Sequence, residues 1–161
     1  MLIMEEMMPE ETRYTELECH KKFAVDCFNH VWSLLEKTDR TTEEDDEMVH
    51  AAHASRFHWA KVGTAVNLAR GEWQISRVYS DLSSPEPAMY HGQRCLAICQ
   101  ENSIADFDLA YAYEAMARAA AVAGHQDDCA RYLAMAREAS KEIKEENDRK
   151  LVLADLATIA G

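Results

Sequence analysis

Three imidazoles recur along residues 48–59, His50, His53 and His58, and a carboxylate precedes them at Asp46. At 100° per residue, Glu43, Asp46, His50 and His53 share one face of a helix. A carboxylate and two imidazoles at i, i+4 and i+7 could hold a divalent metal if further ligands came from elsewhere, which would make the chain a metal-binding or hydrolytic helical protein. No Glu-x-x-His partner stands in another helical segment, so solvated or groove-facing histidines are the stronger reading of Asp46, His50 and His53. Beside the acidic run at 43–47, these imidazoles are expected to titrate above their ordinary value, a mild pH sensor. His91, Cys95 and Cys99 also recur every four residues, but Ala88, Gly92 and Leu96 run with them, which reads as a line of small packing residues. The sequence holds no GxSxG, P-loop, GxGxxG, HExxH or CxxC. No catalytic residue is therefore assigned, no cofactor is expected, and binding rather than catalysis is the expected activity.

The elements that must position these side chains are helices. The chain has 161 residues with only 5 Gly and 3 Pro, and strong helix formers dominate it. Residues 1–14 give no clean period and are expected to form a mobile arm. Helices are predicted over about 15–37, 42–62, 64–82, 85–100, 105–123, 126–144 and 147–159. Thr41 or Thr42, with Glu44 or Asp45 three residues on, makes a capping box, and Pro85 suits a first helical position. Gly124 is a natural helix stop.

Charge narrows the partners. There are 29 Asp and Glu against 17 Lys and Arg, a formal charge of −12. That balance argues against nucleic acid and against an anionic membrane surface. The first 47 residues carry 14 acids and 5 bases, so residues 48–161 are left at only −3. No apolar stretch approaches the ~20 residues that span a bilayer. With no secretory signal at its start and an odd cysteine count, the chain is expected in the cytoplasm with reduced thiols.

A 41-residue offset is the strongest internal signal. Ile75-Ser76 matches Met116-Ala117, Arg77 matches Arg118, Ala88 matches Cys129 and Cys95 matches Ala136; going back, Trp73 falls on Trp32. Three helical hairpins follow, at about 15–62, 63–103 and 104–145, within one domain spanning 15–161. A final helix with Leu151, Val152, Leu156 and Ile159 on one side would cap the stack.

On these residues the chain resembles the tetratricopeptide repeat family. Ala117, Gly124, Cys129 and Ala136 fall at the family's small positions in the third hairpin, with Ala120 where it has an aromatic. The middle hairpin offers Ser76, Tyr79, Ala88 and Cys95, with Ser83 in place of glycine, and the likeness covers about residues 63–145. The chain also resembles small bacterial helical-repeat proteins. The resemblance implies an all-α, right-handed superhelical stack of three antiparallel helix pairs with a C-terminal capping helix. It further implies a concave groove carrying Arg70, Trp73 and Arg77 in the middle hairpin and Tyr111, Glu114 and Arg118 in the third. The 41-residue offset adds Trp32. Arginines and aromatics there suit a protein or peptide partner, one with an anionic group. The competing reading makes Trp32 and Trp73 core, with the arginines paired to Glu36 and Glu114. A structural homodimer without a groove is the other alternative.

Overall fold

In the computed structural model, which describes residues 13–159, Thr15 and Thr41 open the first two helices with reciprocal capping boxes. The Thr41 hydroxyl accepts from the Glu44 amide, and the Glu44 carboxylate accepts from the Thr41 amide at 2.9 Å. The described chain is all helical. Its elements are α1 (Glu16–Leu35), α2 (Thr42–Val62), α3 (Ala65–Asp81), α4 (Pro85–Glu101), α5 (Asp106–Val122), α6 (Gln126–Ser140) and α7 (Glu146–Ala157). The expected arm at 1–14 lies almost wholly outside the described residues.

The helices end by a shared device. The amides of Ser84, Ile104 and His125 each reach back five residues, to the carbonyls of Tyr79, Cys99 and Ala120, at 2.8–2.9 Å. The residue just before each of these amides sits in the left-handed region: Ser83 at φ 54°, Ser103 at φ 54° and Gly124 at φ 75°. Ser83 and Gly124 are the two residues that the 41-residue offset aligns, so the glycine of that position answers a backbone demand. Ser83 meets the same demand with a Cβ, at a cost of roughly 1 kcal/mol.

Consecutive helices pack as pairs, α1 with α2, α3 with α4 and α5 with α6. Each pair docks on the next through α2 on α3 and α4 on α5, while α1, α3, α5 and α7 also touch in turn. The odd-numbered helices therefore form one layer. Small residues make the close approach feasible: Ser76, Ala88, Gly92, Cys95, Ala117, Ala120, Cys129 and Ala136 are all buried. A Cβ on Gly92 would stand 3.2 Å from Met116 Sδ and 3.3 Å from Ser76 Oγ, so at this contact between α4 and the α3 and α5 layer those side chains would have to give by a few tenths of an ångström.

One element departs from expectation. The sixth helix stops at Ser140 rather than near Lys144. The Ser140 hydroxyl bonds the Arg137 carbonyl at 2.7 Å, and the next three residues close turns that bury Ile143. That turn swings α7 back against α5 and α6, with Val152, Leu156 and Ile159 buried. None of the helices is long and apolar enough to cross a membrane among the described residues.

Candidate functional site

The layer of odd-numbered helices carries one aromatic side chain after another across its face. Trp32 of α1 lies 5.6 Å from Trp73 of α3, ring to ring and tilted 33°. Trp73 meets Tyr111 of α5 edge-on at 5.2 Å, and Phe107 packs on Tyr111 at 4.8 Å. Trp32 and Trp73 are one 41-residue offset apart, which is why the stack brings them face to face. With Phe28, Ala69, Cys95 and Leu151 they wall a cavity of about 340 Å³. Its surface is mainly apolar, and four charged side chains (Arg70, Arg77, Asp108, Asp155) reach it.

Those four are not equivalent. Arg70 forks onto Asp108, with Nε to Oδ1 at 2.6 Å and Nη2 to Oδ2 at 3.1 Å. Asp155, from α7, accepts the Tyr111 hydroxyl at 2.6 Å. Burial and then that bond push the Tyr111 phenol well above its ordinary value. Arg77 is different: its ion pair is a long one, 3.7 Å from Nη1 to Glu114 Oε1, and it makes no hydrogen bond among the described residues.

Beneath the cavity, Glu114 is fully buried and saturated. Its Oε2 accepts from Trp73 Nε1 at 2.9 Å and its Oε1 from Arg118 Nε at 2.6 Å. Arg118 also donates to the Asp155 carbonyl at 3.2 Å and to Thr158 Oγ1 at 2.9 Å, fastening the end of α7.

Of the seven groove positions, then, Trp32, Arg70, Trp73, Arg77 and Tyr111 are brought together around one space. Glu114 and Arg118 do not line it; they form its support and the latch for α7. Sequence reasoning missed Phe28, Phe107, Asp108, Leu151 and Asp155. Phe28 stands one turn before Trp32 and Phe107 one turn before Tyr111, so the i, i+4 rule pointed to both. Nothing local pointed to Leu151 or Asp155, because only the fold-back of α7 delivers them.

The histidines of α2 take up another role. Asp46 and His50 are exposed, and His53 turns its Nε2 to the Tyr79 hydroxyl at 3.1 Å. Among the described residues no group of three His, Cys, Asp or Glu side chains could hold a metal ion. The expected upward pKa shift is reversed at His53, where burial and then His91 lower it, against the pull of Glu72. His58 is lowered as well, by burial and then by His20, whose Nδ1 lies 2.8 Å from its own. Sequence could not show either histidine neighbour, since both lie on other helices.

His91 belongs to a second polar cluster, on the α2 and α4 side of α3. Buried Glu72 accepts from Arg56 Nε at 2.9 Å and pairs with His91 Nδ1 at 2.6 Å, and the Tyr79 ring stacks on His91. Cys95, Cys99 and Cys129 are buried packing residues, and all five cysteines are free. Compared with known proteins, the chain matches no family model, no curated protein and no solved structure.

Proposed function

We propose that the protein is a non-catalytic binding module whose ligand occupies the aromatic cavity between α1, α3, α5 and α7, and that it serves as a sensor or regulator. The observation that carries this reading is the cavity itself: about 340 Å³, walled by five aromatic rings, with a few charged groups converging on it. Ligand sites are of that size and that mix of wide apolar walls and sparse polar contacts. The open groove expected from the sequence is narrowed because Leu151 and Asp155 of α7 stand on one side of it. A space walled in this way suits a small ligand better than a long extended peptide.

The paired helices are read here as a tetratricopeptide-like right-handed stack. Support comes from contacts that repeat the 41-residue offset in space: Trp32 on Trp73, Trp73 on Glu114, and Arg40 paired with Asp81. A second reading, an adaptor that holds a partner's peptide, has one observation in its favour. A smaller hollow of about 140 Å³ adjoins the cavity, shares Phe28 and Arg70 with it, and is edged by exposed Val25.

Titration calorimetry with 2-naphthalenemethanol, a neutral aromatic probe, tests the cavity. Saturable 1:1 binding is expected, and Leu151→Trp, which plugs the mouth from a half-exposed position, should abolish it. Binding that persists in Leu151→Trp, or no saturable binding at all, would overturn the assignment. Under the adaptor reading, Val25→Asp should release a protein partner while the probe still binds.

A further inference from the structure

The polar groups around the cavity narrow what it can hold, given the reading above that it is a ligand site. Both oxygens of Asp108 are taken by Arg70, and Asp155 Oδ2 is taken by Tyr111. Glu114 is filled by Trp73 and Arg118. Arg77 stands on the wall with its side chain about one-quarter exposed, and it has no hydrogen bond among the described residues. No nitrogen of that guanidinium is both buried and unpaired, so solvent reaches it, and an anionic acceptor in the apolar wall can exchange that water for charge-assisted bonds. The planar fork of Arg77 fits a carboxylate through two parallel bonds. The rest of the wall offers ring faces and edges, which favour a flat aromatic partner. The volume is near the small end for ligand sites, room for one or two fused rings.

We propose that the cavity binds a small planar aromatic carboxylic acid, its ring among Trp32, Trp73 and Tyr111 and its carboxylate on Arg77. Asp108 is neutralised by the Arg70 fork, which leaves Asp155 as the one carboxylate on the wall that could receive a cation. Asp155 is the acidic group that works against the acid, since its charge faces the same space from α7. Its bond to the Tyr111 hydroxyl leaves that charge in place.

The test compares three probes of one shape on the full chain by calorimetry: 2-naphthoate, neutral 2-naphthalenemethanol, and the cation 2-naphthylmethylammonium. The acid should bind at least about tenfold more tightly than the alcohol, the scale of a charge-assisted fork. Arg77→Met should erase that advantage and leave the alcohol unchanged. Asp155→Asn, a change on the partly exposed α7, should strengthen the acid severalfold. Equal or tighter binding of the alcohol or the ammonium, or an advantage that survives Arg77→Met, would overturn the proposal while the cavity reading stands. Failure of all three probes to bind would sink both.

Discussion

Glu72 and Glu114 are both buried carboxylates that tie neighbouring helices together, and they differ in the cations set against them. Glu72 faces one permanent cation, Arg56 at 2.9 Å, and one imidazole, His91 at 2.6 Å. Glu114 faces two permanent cations, Arg118 at 2.6 Å and Arg77 at 3.7 Å, together with an indole N–H. At Glu72 every partner closes on the next, with His53, Tyr79 and His91 in mutual contact. At Glu114 the short bonds go to Arg118 and Trp73, and Arg77 stands on the cavity wall with only a long ion pair. Residue types alone made the histidine side look the more chemical of the two. Saturation decides otherwise: a site needs both a vacancy and a group with unmet bonds.

The largest effect is expected at Glu114. Glu114→Ala leaves Arg118 largely buried without its carboxylate and Trp73 without its acceptor, and should cost about 3–4 kcal/mol in urea unfolding. Glu114→Gln keeps an acceptor for Trp73 but not the charge, so most of the loss should remain. Glu72→Ala should cost less, about 2 kcal/mol. Glu72→Gln should be milder still, because the amide oxygen can go on accepting from Arg56. If Glu72→Gln proves as damaging as Glu114→Gln, the contrast between one fixed cation and two fails.

Much of the fold was legible because it rests on local chemistry. Thr41 with Glu44, Pro85 and Gly124 each answer a backbone need at a helix end, and such needs are written within four residues. The 41-residue offset was legible too, and it led to Trp32 because a stack turns a sequence period into a spatial contact, whereas Trp73, Arg77 and Tyr111 came from the resemblance to tetratricopeptide repeats. What could not be read depends on one turn. Once Ser140 ends α6 early, α7 returns across the layer, Arg118 becomes its latch, and Leu151 and Asp155 become cavity wall. No period encodes that return. The histidines were misjudged for a related reason: their acidic neighbours are on the same helix and visible, whereas burial and then His20 of α1 and His91 of α4 lower their proton affinity.

The smallest effect is the one that separates those two influences on the histidines by sign. The folded state holds His53 and His58 below the ordinary histidine value of 6.5, so it favours their neutral forms. Their contribution to stability is complete above that value and is lost as pH falls toward their folded values. Glu72 is held below the ordinary carboxylate value: burial raises it, but the His91 bond and the Arg56 charge outweigh burial. Its contribution is kept above about 4.5 and lost when pH falls through its lowered value. Urea midpoints taken from about pH 7.5 down to about pH 2.5 should therefore decline in two stages. His53→Gln with His58→Gln should flatten the first stage and leave the second, and Glu72→Gln should remove part of the second. Had the acidic run of α2 controlled the histidines, mild acid would stabilise the protein instead. A midpoint that rises between about pH 7.5 and about pH 5.5 would restore that view and detach His53 from the Glu72 cluster.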